Sequence, residues 1–484
     1  MPIPFLINVF HEGLPAWFPD PWLVAKCTTA AGALVLTKWY SSGRSNTAER
    51  KLYGRVVLMT GGTSGIGAAT AFELAARGAQ LILLTRHAQT DPFLVEYIDD
   101  LRARTGNNLI YAEQVDLSSL HSIRQFATRW IDNAPPRRLD LIVLCAATLT
   151  PPGGARTTTA EGIETTWMVN YLANFHLLGI LSPAIRAQPF DRDLRILVPT
   201  CSSYIASPTL DTEDLHGDQA WTPSRAYARS KLALMVFAKA YQKHLDAYKR
   251  PDQLPMNARV VLVDPGLART PGMRRWLTRG SLFGLLVYMV LYALAWLLLK
   301  DPTMAAQSLL YATMDGNLLR GAGGKLVKEC MEVDCARKDV DDEAVAKKLW
   351  ESSDKLIERA EKEAALKRAI AKKAQEKRDE DASRAAQQAA QVEEIEALLG
   401  AVKKGRAAKD AKEGQKKNGK KTKSAGDSNP PPRNASQIHP VFFTDKLRRP
   451  PFAVASAPHS NPIAQGYVYQ DAPRGSEKSA GSRL

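Results

Sequence analysis

Cysteine is scarce in this chain of 484 residues: Cys27, Cys145, Cys201, Cys330 and Cys335 are odd in number and scattered. No CxxC pair occurs and no histidine stands at ligand spacing, so a disulfide scaffold and a patterned metal site are both excluded, and a reducing compartment follows. The first residues, with Pro2, Pro4, His11, Glu12 and Pro15, lack a basic stretch followed by a clean apolar core. A cleavable signal peptide is therefore not expected. Internal repeats are absent as well. Acid is short relative to base, 50 Asp and Glu against 65 Lys and Arg, leaving a net charge of +15. Such an excess suits an anionic partner, either a membrane surface or nucleic acid. The most basic stretch, Lys403 to Lys423, has no interleaved aromatic residues for base stacking, which argues against nucleic acid.

What is present is unevenly distributed. Hydrophobic residues make up 45% of the chain and concentrate before about Val333, enough for one sizeable core. Residues 1–50 read as an N-terminal segment and a candidate membrane anchor, because Trp22 to Tyr40 is apolar apart from Lys26, Thr28, Thr29 and Lys38. Residues 51–335 read as the folded domain. Residues 336–400, rich in Ala, Lys, Glu and Arg, read as a solvated helix, and 401–484 as a basic, then Pro- and Ser-rich, disordered tail.

Within the domain, short apolar runs recur at Val56 to Thr60, Leu81 to Thr85, Ile110 to Val115, Leu141 to Cys145, Ile196 to Thr200 and Val260 to Val263. Helix-compatible stretches separate them: Ala68 to Arg77, Ile163 to Ala187 and Ala226 to Ala247. Strands apolar on both faces, alternating with helices, predict an α/β fold of the Rossmann type, a doubly wound parallel sheet.

The first strand runs into Thr60-Gly61-Gly62-Thr63-Ser64-Gly65-Ile66-Gly67 and then an alanine-rich helix. Gly61, Gly65 and Gly67 permit a sharp turn and close approach of a pyrophosphate, which the N–H groups at the helix start would hold. Tyr227 and Lys231 are four apart, so on a helix they share a face. A lysine cation there lowers the tyrosine pKa and fits the pair for proton transfer.

Taken together, these motifs resemble the short-chain dehydrogenase/reductase family, and within it the membrane-associated retinol dehydrogenase-like branch, from about Leu52 to Cys330. Thr60 to Gly67 matches the TGxxxGIG turn, implying cofactor contacts from Gly61, Thr63, Ser64, Gly65, Ile66 and Gly67. Asp116 matches the residue that binds adenine, Asn170 the helix asparagine of the catalytic tetrad, and Tyr227 with Lys231 the YxxxK pair. Pro265, Gly266 and Thr270 match the PGxxxT segment beside the nicotinamide. The resemblance implies a catalytic serine at Ser203, with Ser202 as the alternative, and a long loop with a Leu215-His216-Gly217 landmark. One departure stands out: Cys145-Ala146-Ala147 replaces the family's Asn-Ala-Gly, and all four tetrad residue types are nevertheless present.

Arg86, at the end of the second strand and about twenty residues past the glycine turn, favours NADP(H) over NAD(H), because a basic group there accommodates a 2′-phosphate. The implied chemistry is hydride exchange between nicotinamide and an alcohol or carbonyl carbon. Residues 280–299 form an uncharged run of twenty between Arg279 and Lys300, long enough to span a bilayer. Gly324 to Cys330, however, reads as a final sheet strand that must return to the same side. A hydrophobic helix or hairpin seated in one leaflet is therefore expected, with Tyr288, Tyr292 and Trp296 at the interface.

These features lead to an NADP-dependent oxidoreductase for a lipophilic alcohol or carbonyl, such as a retinoid, sterol, fatty aldehyde or ketolipid. It would sit at the endoplasmic reticulum or a lipid droplet, facing the cytosol, and a homodimer is compatible with the pattern. The alternative is a dinucleotide-binding scaffold that uses its charged tail for partners.

Overall fold

The computed structural model describes residues 20–134, 136–210 and 221–418. The Leu215-His216-Gly217 landmark lies outside the described residues, as does the chain beyond 418.

The chain begins with helix α1 (Pro21–Ser42), which Asp20 caps by accepting from the N–H of Trp22. There follow β1 (Val56–Thr60), α2 (Gly65–Ala76), β2 (Gln80–Thr85), α3 (Pro92–Thr105), β3 (Ile110–Gln114), α4 (Leu120–Ile131) and β4 (Leu141–Leu144). The next helical stretch is α5 (Thr165–Trp167), a π-helical turn (Met168–Leu172) and α6 (Ala173–Arg186). Then come β5 (Leu194–Pro199), a 3-10 turn (Ser202–Ala206), α7 (Pro223–Asp246) and β6 (Ala258–Asp264). Helices α8 (Pro271–Leu277), α9 (Leu282–Val290), α10 (Tyr292–Leu298), α11 (Pro302–Met314) and α12 (Asn317–Arg320) lead to strands β7 (Lys325–Lys328) and β8 (Met331–Val333). Helix α13 (Glu343–Asn418) is last.

The eight strands form one sheet in the order β3-β2-β1-β4-β5-β6-β7-β8. All pairs are parallel except β7 with β8, which is antiparallel. Neighbours in sequence part at β1, which pairs with β2 on one side and β4 on the other. That reversal opens a crevice at the strands' carboxyl ends, where open α/β sheets bind their ligands. The side-chain period of two divides each strand between two cores. Val56 and Leu58 pack with Trp130, Tyr171 and Phe237 on one face, and Val57 and Met59 with Leu74, Ile98 and Leu309 on the other. The predicted doubly wound Rossmann sheet is therefore what the chain forms.

Of the expected helix or hairpin, residues 280–299 form the broken one: the chain breaks at Leu291 into the short helices α9 and α10, with no side-chain cap at the start of α10. The backbone pinches shut at the base, where Arg269 N–H donates to the Lys300 carbonyl and Lys300 N–H to that of Leu267. Beyond the pinch β7 rejoins the sheet beside β6. Two expectations need correction. First, the charged helix after 336 is not solvated throughout. Leu349, Leu356, Ile357 and Ala360 are buried in the same core as α6 and α7, because its apolar positions recur at helical spacing on one face. Secondly, helix continues to Asn418, past the expected boundary at 400. By compactness the chain divides at Arg368, with 1–368 as one unit and 369–484 as another.

Among the described residues, Thr165–Arg186 is the one helical stretch long and apolar enough to cross a membrane, and 72% of its apolar 18-residue window is buried inside the protein. That burial marks a core helix. By contrast α1, α9 and α10 leave large apolar side chains exposed, among them Trp39, Leu282, Phe283 and Val290.

Candidate active site

The β1 strand is buried throughout and delivers Thr60 to the crevice. At Gly61, φ is +67°, and a Cβ there would lie 2.7 Å from the Ala146 nitrogen. At Gly67 a Cβ would lie 2.1 Å from the Gly61 carbonyl oxygen. No side chain fits at either position, so the turn is specified by the protein's own close packing as well as by a ligand. Ser64 is the N-cap of α2 and makes no side-chain cap bond, which leaves its hydroxyl, and the first N–H groups of a 12-residue helix, available to a ligand. Thr63 and Ile66 flank these groups. Thr270 closes the other side: a Cβ at Gly65 would stand 3.2 Å from its Cγ2, and its hydroxyl caps α8. The donor set, backbone N–H groups and hydroxyls at a helix start, fits a pyrophosphate.

Opposite the turn, Cys145 replaces the family's asparagine. Its Cβ is 3.4 Å from where a Cβ at Gly67 would be, and burial pushes its thiol up to about 12, so it is neutral packing. The loop is braced by Thr60, whose hydroxyl accepts from Ala146 N–H at 3.2 Å.

Asn170 is fully buried in the π-helical turn, a distortion that recurs at functional sites. Its Oδ1 accepts from Thr148 N–H at 2.7 Å, and its Nδ2 donates to the Thr148 carbonyl at 3.0 Å and to Ser230 Oγ at 3.1 Å. Asn174, one turn on, donates to the Asn170 carbonyl at 2.9 Å.

Helix α7 starts at a Thr222 cap followed by Pro223 and presents Tyr227 and Lys231 on one face. Lys231 Nζ lies 5.7 Å from the centre of the Tyr227 ring and donates to the Pro199 carbonyl at 3.1 Å. The expected lowering of the tyrosine pKa does not hold in this arrangement. Burial, with Cys201 and Asp264 adding to it, holds Tyr227 well above its ordinary value, and burial lowers Lys231. Desolvation therefore dominates at both groups.

The two serines occupy different surroundings. Ser202 donates to Asp264 Oδ2 at 2.7 Å and accepts from Lys328 Nζ at 3.1 Å, so it is committed to an ionic cluster at β6 and β7. Ser203 Oγ lies 2.7 Å from Cys201 Sγ, and Cys201 in turn contacts Tyr227. Cys201, Thr148, Ser230 and Asp264 were not found from sequence. The adjacency of Cys201 to the serine pair and of Ser230 to Lys231 were the available signals.

Arg86, exposed at the end of β2, makes no ion pair among the described residues. Asp116 is half-buried, and one of its carboxylate oxygens accepts from Ser118 N–H and Oγ. Pro265 and Gly266 follow β6, with Gly266 N–H donating to Asp264 Oδ1 at 3.0 Å. Among the described residues no group of three or more His, Cys, Asp or Glu is disposed to hold a metal. A 620 Å³ groove lined by Gln80, Tyr111, Trp130 and Arg137, among others, contains none of these site residues.

A nucleotide cradle at the switch point of a parallel sheet, with a buried tyrosine–lysine pair beside it, defines a dinucleotide-dependent oxidoreductase. The short chain dehydrogenase family model matches residues 55–192. The uncharacterised oxidoreductase pbr1 of Schizosaccharomyces pombe is 41% identical over 367 residues, 75% of this chain and 97% of that one. Retinol dehydrogenase 13 of Homo sapiens is 31% identical, covering 68% of this chain and 92% of its own length. Polyprenol dehydrogenase of Mus musculus is 33% identical, covering 61% and 82%. The chain belongs to the short-chain dehydrogenase/reductase family, in its retinol dehydrogenase-like branch. It is an oxidoreductase that binds a nicotinamide dinucleotide.

Proposed function

We propose that this protein is an NADPH-dependent reductase of a lipophilic carbonyl compound, acting at a membrane surface. The observation that carries the reading is the buried Tyr227 beside Lys231, joined to Ser203 through the Cys201 side chain that both contact, next to the nucleotide turn. Ser203, rather than Ser202, would donate to a substrate oxygen, exchanging its contact with Cys201 for that bond. Tyr227 gives its proton to that oxygen while Lys231 keeps a positive charge nearby, and the Asn170 turn fixes the far wall. Bound NADPH would supply the hydride to the carbonyl carbon, yielding the alcohol and NADP+. Gly61, Thr63, Ser64, Gly65, Ile66, Gly67 and Thr270 would hold the pyrophosphate and nicotinamide side, Asp116 the adenine, and Arg86 a 2′-phosphate.

The lipophilic substrate is supported by the surface rooted at Thr270. Helices α9 and α10 expose Leu282, Phe283 and Val290, and α1 is tied to them: Lys38 Nζ donates to the Trp296 carbonyl at 2.6 Å and stands over its ring at 4.7 Å. Ser41 Oγ donates to the Leu297 carbonyl at 2.5 Å. Arg274, Arg275 and Arg279 border the apolar residues and suit anionic headgroups. Both elements would enter one leaflet, placing the site at the surface of the endoplasmic reticulum or a lipid droplet. Retinoids, sterols, fatty aldehydes and ketolipids are the matching substrates, and names such as retinol and polyprenol dehydrogenase among the relatives agree with that class.

The test is reduction of a mixed lipophilic aldehyde and ketone panel, read by mass spectrometry of the products. The wild type is expected to form alcohols faster with NADPH than with NADH, and Tyr227→Phe to bind NADPH but form about a thousandfold less product, in line with loss of a positioned general acid together with its hydrogen bond. Cofactor binding without product across the panel would favour the scaffold reading.

A further inference from the structure

The π-helical turn that carries Asn170 is held from behind by residues far along the chain. Tyr171, the next residue, is fully buried, and its hydroxyl lies 2.7 Å from Ser353 Oγ on α13, also fully buried. Ser353 donates to the Leu349 carbonyl at 2.7 Å, so in this pair Tyr171 is the donor. Trp350, one turn earlier in α13, packs edge-on against Phe175 of α6 with ring centres 5.2 Å apart, and at a tilt against Phe237 of α7 at 5.6 Å. Trp167, at the start of the turn, meets Tyr171 edge-on at 4.7 Å. Two turns further on, Glu361 takes a bidentate ion pair from Arg124 of α4 and stands 3.4 Å from His176 Nε2 of α6.

A π-helical turn is rare and costs backbone energy, so it persists only where its surroundings over-determine it. Relaxing it to α geometry would change by roughly 100° the direction of one flank relative to the other, since each helical residue turns the chain by that angle. Asn170 could not then keep its contacts with both Thr148 and Ser230. On the front, those two contacts fix the turn; on the back, the fixing groups come from α13.

We propose that Ser353 and Trp350 are positioning residues for catalysis, so that the start of the charged C-terminal helix is a working part of the active site. Ser353 orients Tyr171, and Tyr171 sets the direction of the Asn170 side chain. This rests on the reading of Asn170 as a member of the catalytic set. The same contacts occupy the aromatic face of α6 and α7 with the chain's own helix.

The test uses the full chain with Ser353→Ala, Tyr171→Phe, the double variant, and Ser352→Ala as a neighbouring control, since Ser352 bonds only to the Leu349 carbonyl among the described residues. Each single variant at 353 or 171 is expected to lower kcat about fivefold, the rate equivalent of one ordinary hydrogen bond, with KM for NADPH unchanged. The double variant should fall no further than the singles, because both remove one bond. Amide exchange over 168–172 should quicken in Ser353→Ala and stay unchanged in Ser352→Ala. Wild-type kcat and unchanged exchange in Ser353→Ala would overturn the proposal. If the wild type reduces no carbonyl, the proposed function fails separately, and the exchange comparison still decides this inference by the same two results.

Discussion

The most hydrophobic stretch of the described chain lies on its outside, and one of its most charged helices begins in its core. Helices α9 and α10 contain no charged residue, yet Leu282 is 86% exposed and Phe283 76%. Helix α13 is dense in Lys and Glu, yet Leu349 and Ser353 are 1% and 0% exposed. Composition therefore misleads in both directions. What decides burial is whether a complementary face exists within the chain. For α13 the aromatic residues of α6 and α7 supply one. Against α10 packs α1, itself apolar and exposed, and the apolar side chains left bare among the described residues are those that the proposed lipid leaflet would cover.

The sharpest way to break this contrast is to remove the anchor of the charged helix. Trp350→Ala should destabilise the folded unit by about 3 kcal/mol, the low end for truncating a large aromatic side chain, since Trp350 is only half-buried. A denaturant melt would measure it, and an unchanged midpoint would show that α13 merely rests on the surface.

Glu361 gives a smaller, pH-dependent effect. Burial alone would raise its pKa, but hydrogen bonds and charge from His176 and Arg124 prevail and hold it at about 2. A carboxylate depressed in the folded state contributes stability above its ordinary value near ~4.5, and that contribution is lost as pH falls from there towards about 2. With partial solvent screening, Glu361→Gln should cost about 1–2 kcal/mol at pH 7 and progressively less as the pH drops below the ordinary carboxylate range. Melts at pH 7 and at the acid end would check this. An equal loss at both would point to packing instead of charge.

The fold was legible because its strands are short continuous apolar runs, such as Val56 to Thr60 and Leu81 to Thr85, and its turn is written in glycines. The pairing of β7 with β8 was not, since Met331-Glu332-Val333 is short and half polar. The core role of α13 was hidden because Leu349, Leu356 and Ile357 are diluted among lysines and glutamates. The break at Leu291 leaves no mark of glycine or proline. In the site, spacing pointed to Tyr227 and Lys231 and the family resemblance to Asn170, whereas the upward shift of the Tyr227 pKa depends on burial, and the contact of Cys201 with Ser203 on the turn that follows β5. Ser202 and Ser203 are equivalent by sequence chemistry, and only their neighbours separate them.

The smallest effect on stability, and the most direct test of the central claim, comes from the exposed apolar face. Leu282→Ser with Phe283→Ser should change stability by less than about 0.5 kcal/mol, as for exposed positions generally. The deciding measurement compares NADPH-dependent reduction of a long-chain aldehyde embedded in anionic liposomes with that of a short, water-soluble aldehyde, in the wild type and in this double variant. The variant is expected to lose the liposome rate and keep the soluble one. Equal rates for wild type and variant on both substrates would contradict it.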